Sequence, residues 1–144
     1  MARFYAQICS FVFLIVTVGG FLLGNASHVA TGQAQGNVQG VVLHMTYARD
    51  VVDLVLLAAF AAVGFVLGRA PGRLVAGAAG VVLLALAILG FFIGDSLSGS
   101  RSFAGLHFTL AVNIFDLVAG VVAILAALGT VEDEGPTSII RPTA

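Results

Sequence analysis

Leu43-His44-Met45-Thr46-Tyr47-Ala48-Arg49-Asp50-Val51-Val52-Asp53-Leu54-Val55 returns, 63 residues further on, as Leu106-His107-Phe108-Thr109-Leu110-Ala111-Val112-Asn113-Ile114-Phe115-Asp116-Leu117-Val118. Leu, His, Thr, Ala, an Asp-or-Asn, Asp, Leu and Val recur at matching places. The chain holds three His, and four Asp outside its acidic stretch Glu132-Asp133-Glu134. Two of those His and two of those Asp fall at matching places in the two copies. The chain therefore reads as one unit written twice.

The repeat extends outward from the motif. Arg3 corresponds to Arg73, and Gly20-Phe21-Leu22-Leu23-Gly24-Asn25 to Gly90-Phe91-Phe92-Ile93-Gly94-Asp95, both at an offset of 70. The offset falls to 63 because the second of the two intervening loops is seven residues shorter. Each unit is expected to be a helical hairpin. Two hairpins in series share one orientation, so the repeat is parallel, with a pseudo-twofold axis along the membrane normal rather than the inverted arrangement of many transporters.

The membrane enters through composition. Hydrophobic residues form 60% of the chain and charged residues 9%, against about 25% charge in a soluble domain. Mean hydropathy is +1.11. Four apolar stretches, Phe4 to Leu23, Thr46 to Leu67, Leu74 to Ile93 and Gly105 to Leu128, are each long enough as helices to cross a hydrocarbon core about 30 Å thick. Helices are expected because lipid cannot satisfy exposed backbone groups. The fold class is thus all-α: an integral membrane four-helix bundle over residues 1–129, with repeat one at 3–68, repeat two at 73–129 and a cytoplasmic tail at 130–144. Gly68 to Arg73 would form the short loop between repeats.

Arg3, Arg69, Arg73 and Arg141 would lie on one side, Arg49 and Arg101 on the other. The positive-inside rule then puts both termini in the cytoplasm and the two longer loops outside. Read as a signal peptide, the first stretch would offer Arg3 as its basic region and Asn25-Ala26-Ser27 as its cleavage region. Its length and its counterpart in the third span favour a retained helix. All six cations are Arg, and the wealth of Ala, Gly and Val suits a GC-rich bacterial genome and a bacterial cytoplasmic membrane. A net charge of −1 with no basic cluster gives no footing for nucleic acid. The lone Cys9 cannot form an internal disulfide.

The residues with chemistry are few. Asp53 and Asp116 fall about two turns into the second helix of each hairpin, and carboxylates at such depth normally face the bundle interior or an aqueous cavity. Arg49, one turn before Asp53, is placed to neutralise it. Val112 holds the equivalent place in the second copy, so one cation would serve two Asp. Asp50 and Asn113 suit the positive helix N-termini. The alternative is that all of these are structural polar groups at interface depth. His44 and His107 are a symmetric pair that can be imagined on a haem, a chlorin or a transition metal. Both precede their spans and lack the further ligands a metal set needs, so they equally suit interfacial packing. Gly20 and Gly24, with Gly90 and Gly94, form small-x-x-x-small patterns, as do Ala76 and Gly80. Such patterns allow close helix packing in lipid, within the chain or between copies. No catalytic or nucleotide-binding motif occurs, and neither an enzyme nor a resident cofactor is expected. Asn25-Ala26-Ser27 also matches a glycosylation sequon, which matters only in a secretory eukaryotic setting.

Asn113-Ile114-Phe115-Asp116-Leu117-Val118-Ala119-Gly120, its partner Asp50-Val51-Val52-Asp53-Leu54-Val55 and the two-hairpin layout resemble a family of small bacterial four-helix membrane proteins, number 4383 in the domain-of-unknown-function series. The resemblance covers roughly residues 3 to 129. Its motif often reads Asn-x-x-His-Leu-x-x-Gly. Here Asp53 and Asp116 stand at the His position, and Leu57 replaces the first Gly. The resemblance implies a fold and no activity.

The leading expectation is a non-catalytic structural or accessory subunit, packed in lipid against other membrane subunits or itself. A second is a small transporter or proton-linked carrier using Asp53, Asp116 and Arg49. A third is an electron-transfer subunit holding a cofactor between His44 and His107.

Overall fold

The computed structural model describes residues 1–23, 36–38, 41–43, 46–93, 101–103 and 106–130. Among them are four long helical segments: α1 (Ala2–Leu23), α2 (Tyr47–Ala61), α3 (Arg69–Ile93) and α4 (Leu110–Leu128). A five-residue π-helical turn, Ala62–Val66, continues α2 and is closed by Leu67 N–H donating to Ala62 O at 2.7 Å. Two short antiparallel ladders precede the even-numbered helices. They join β1 (Gly36–Val38) to β2 (Val41–Leu43), and β3 (Arg101–Phe103) to β4 (Leu106–Phe108).

The helices start where side chains take up the free N–H groups of their first turns. Thr46 and Thr109, both extended, accept from the N–H of Arg49 at 3.2 Å and of Val112 at 3.3 Å. Such caps contribute about 1 kcal/mol each. Helix α4 therefore begins five residues after the expected Gly105, with Leu106–Phe108 in strand β4. Helix α3 begins earlier than expected. Arg69 to Arg73, read from sequence as loop, form its first turn. Pro71 fits there because first-turn N–H groups lack intrahelical acceptors anyway.

α1 packs mainly on α2 and its π turn, and α3 mainly on α4. The buried face of α1 is Ala2, Ala6, Cys9, Ser10, Phe13, Thr17 and Gly20; that of α3 is Gly72, Ala76, Ala79, Gly80, Leu83, Ala87 and Gly90. These two sets correspond one for one at the offset of 70. The 3-and-4 spacing is what a helix needs to turn one stripe inward. At the centre, Phe13 stacks on Phe60 at 5.6 Å between ring centroids and meets Phe115 edge-on at 5.6 Å. α3 and α4 approach backbone to backbone at Gly80 and Gly120, where a Cβ on either would lie 2.9 Å from the other's carbonyl oxygen.

The surface inverts the pattern of a soluble protein. Phe92 is 86% exposed, Val66 79% and Ile15 73%, while Arg49, Asp53 and Asp116 are buried. Three helices, α1, α3 and α4, are long and apolar enough to cross a membrane. α2 has only 15 α-helical residues and carries Arg49, Asp50 and Asp53.

Candidate functional site

The motif copies place their polar residues on the buried faces of α2 and α4, near the ends that follow the β ladders. Asp53 lies one turn after Arg49, so the two share a helix face. Arg49 reaches across to α4. Its Nη1 donates to Asp116 Oδ2 at 2.7 Å and its Nη2 to Asp116 Oδ1 at 2.6 Å. This is a bidentate fork, the strongest geometry available to a guanidinium and a carboxylate. Its Nε lies 3.1 Å from Asp53 Oδ1 and 3.2 Å from Oδ2, with the N–H directed at Oδ2. Arg49 is 4% exposed, Asp53 1% and Asp116 fully buried. One cation thus joins two carboxylates on different helices.

Four buried polar atoms have no hydrogen-bond partner among the described residues: Asp53 Oδ1, which is ion-paired with Arg49, Asp50 Oδ1, Asn113 Oδ1 and Thr17 Oγ1. Asp50 and Asn113 do not cap their helices; Thr46 and Thr109 do. Instead the Asp50 carboxylate packs against Gly20 of α1, and the Asn113 amide against Gly90 of α3. A Cβ at either glycine would overlap the opposing side chain. These two glycines therefore make room for a polar group, whereas Gly80 and Gly120 bring two backbones together. Gly24 and Gly94 lie outside the described residues.

His44 also lies outside the described residues. The backbone of His107 is in β4, opposite Ser102. Among the described residues, no group of three or more His, Cys, Asp or Glu is arranged to hold a metal ion.

Two contacts had no clear signal in the sequence. Gly64 O, in the last turn of the α2 segment, accepts from Arg3 Nε and from Gln7 Nε2, both at 3.0 Å. Carbonyls in the last turn of a helix lack intrahelical donors, and here two side chains of α1 supply them. Tyr5 Oη donates to Ala119 O at 2.6 Å, tying α1 to α4. A π turn has no compositional signature, and Tyr5 looks like any aromatic of an apolar helix. Comparison with models of protein families, with curated proteins and with solved structures finds no match to this chain.

Proposed function

We propose that this chain is an integral membrane protein whose two hairpins, residues 3–68 and 73–129, pack as a parallel repeat around the Arg49–Asp53–Asp116 cluster. We further propose that it acts as a non-catalytic structural or accessory subunit, within a larger membrane assembly or an oligomer of itself. The observation that carries this reading is that Arg49 is held by two carboxylates of its own chain. A buried ion leaves water at a cost of several kcal/mol, and good mutual geometry is what offsets it. A cluster of this kind fastens α2 to α4.

The exposed apolar girdle supports lipid as the surroundings, since a soluble monomer rarely presents large contiguous apolar surface. With the π turn, the α2 segment from Tyr47 to Val66 is long enough to serve as the fourth span. The matched buried faces of α1 and α3 support the repeat. The Arg distribution supports both termini on the cytoplasmic side, and the Arg-only cations with much Ala, Gly and Val suit a bacterial membrane. The resemblance to the bacterial four-helix family agrees with this architecture and adds no activity.

The test is the mass and composition of the tagged protein extracted from its own membrane in mild detergent. Co-migration with other membrane subunits at fixed stoichiometry, or a homo-oligomer, is the expected result. A stable monomer that moves a solute across liposomes would overturn it. A second reading, a proton-linked or cation-linked carrier, is favoured by the buried Oδ1 of Asp50, which has no hydrogen-bond partner among the described residues. It requires pH-dependent flux that disappears in the Asp53→Asn/Asp116→Asn variant.

A further inference from the structure

Among the described residues the buried charged side chains are Asp50, Asp53, Asp116 and Arg49. Three carboxylates thus share one guanidinium. Arg49 directs its fork at Asp116 and its Nε at Asp53. Asp50 is 3% exposed, and its Oδ1 has no hydrogen-bond partner among the described residues. A buried ionised carboxylate is costly unless a positive charge stands beside it. A second oxygen belongs to the same place. Thr17 is 4% exposed, and its Oγ1 is likewise without a hydrogen-bond partner among the described residues. It lies one turn before Gly20 on the buried stripe of α1, as Asp53 lies one turn after Asp50 on α2. Helices α1 and α2 run antiparallel, for Gly20 meets Asp50, Phe13 meets Phe60 and Gln7 meets Gly64. This register sets Thr17 opposite Asp53. In the α3–α4 pair, Gly90 meets Asn113 and Gly80 meets Ala123, which sets Ala87 opposite Asp116. Thr17, Asp50 and Asp53 are therefore answered by Ala87, Asn113 and Asp116. The additional carboxylate and the hydroxyl occur together, in the α1–α2 pair.

We propose that Asp50, Asp53 and Thr17 hold a sodium-like monovalent cation between α1 and α2. The donors are all oxygen, as hard cations require. Two carboxylates and a hydroxyl, with Arg49 already on Asp53, suit a single positive charge. Among the described residues no group of three or more His, Cys, Asp or Glu is arranged for a metal that needs more anionic ligands. A proton bridging Asp50 and Asp53 has no use for the Thr17 hydroxyl, whereas a cation takes it as a ligand. Asp50 stands in the first turn of α2, at the end of the bundle next to the β ladders, so an ion reaches it without crossing the apolar core. The bound ion joins α1 to α2, as Arg49 joins α2 to α4. The site does not depend on transport: such an ion fastens a structural subunit as readily as it loads a carrier.

The experiment follows thermal unfolding of the full purified chain in detergent through a sodium chloride titration, with choline chloride holding the ionic strength constant. Sodium NMR line broadening reads binding to the folded chain alongside. The wild type is expected to gain stability saturably with sodium, since an ion that binds only the folded chain shifts unfolding by mass action. Asp50→Asn keeps the side chain's size and removes its charge, and should weaken the apparent sodium affinity about tenfold, the loss of one charge-assisted contact. Thr17→Val removes only the hydroxyl and should weaken it less, yet measurably. Ser10→Ala alters another buried hydroxyl of α1, one that donates to Gln7 O at 2.8 Å, and should leave sodium affinity unchanged. Should Asp50→Asn fail to fold, Thr17→Val and the sodium NMR of the wild type decide. Wild-type stability that is the same in sodium and in choline overturns the proposal. So does a sodium effect that both variants keep in full. Stability that follows pH in choline, ignores sodium and loses its pH dependence in Asp50→Asn assigns a proton to the site and overturns the cation. None of these readings involves flux or partner subunits, so the ion site and the subunit reading fail separately.

Discussion

Arg49 and Asp116 lie 67 residues apart in sequence and share two charge-assisted hydrogen bonds, at 2.6 and 2.7 Å, inside the bundle. Losing one partner of a buried pair costs about 3–5 kcal/mol where the other is left uncompensated. Asp116→Ala leaves Arg49 its Nε contact to Asp53, so it is expected to lower unfolding stability in detergent by up to that amount. Asp53→Ala, which removes only the weaker Nε contact, should cost less. The triple change Arg49→Met/Asp53→Leu/Asp116→Leu should recover most of the loss, because no charge is left behind. A triple variant no more stable than Asp116→Ala would show that the cluster does more than balance charge.

Gly19 and Gly20 are neighbours with opposite surroundings. A Cβ at Gly19 meets nothing within 4 Å, while one at Gly20 overlaps the Asp50 carboxylate. Gly20→Ala is expected to destabilise by about 1–3 kcal/mol through overpacking, and Gly90→Ala similarly through Asn113. Gly19→Ala should be neutral, or stabilising by up to about 1 kcal/mol, as a helix-interior Gly replaced by Ala. Thermal unfolding of the three variants in one detergent reads this directly. Equal effects at Gly19 and Gly20 would contradict the close contact.

Much of this site was legible because the motif recurs along the chain at fixed offsets. The offset of 63 pairs Asp53 with Asp116 and Asp50 with Asn113, and the offset of 70 pairs Gly20 with Gly90. The scarcity of charge made Arg49 the natural cation for both aspartates. What escaped was set by local geometry without a compositional mark. Pro71 and Gly72 read as loop formers, yet the first turn of a helix accepts both. Gly20 and Gly90 read as backbone-contact glycines, but the opposing group is a side chain. The three-residue ladders are too short for period-two alternation to show.

The Gly64 carbonyl provides a test of the α1–α2 seam. It accepts from Gln7 and Arg3 together, and a Cβ at Gly64 would lie 3.0 Å from Gln7 Cγ and 3.1 Å from Gln7 N. Gln7→Leu should cost about 0.5–1.5 kcal/mol, the usual net value of one hydrogen bond. Gly64→Ala should cost more, since backbone as well as side chain must yield. The amide protons of residues 62–67, followed by hydrogen exchange, should lose protection in both variants before those of α4 do. Unchanged exchange there would separate the π turn from its α1 contacts.

Val81 stands midway along α3 and is 59% exposed. The membrane reading and its opposite make contrary predictions for it. In water, an exposed valine exchanged for arginine is close to neutral for stability, within about 0.5 kcal/mol, and improves solubility. At the centre of a membrane helix the same exchange is unfavourable by about 2.5–3.5 kcal/mol on insertion scales. Val81→Arg is therefore expected to reduce the fraction of chain that resists carbonate extraction, with Leu125→Arg on α4 behaving likewise. Thr130→Arg, beyond the end of α4, should insert normally. Should Val81→Arg yield a folded, soluble bundle instead, the apolar girdle would have to be covered by protein rather than lipid.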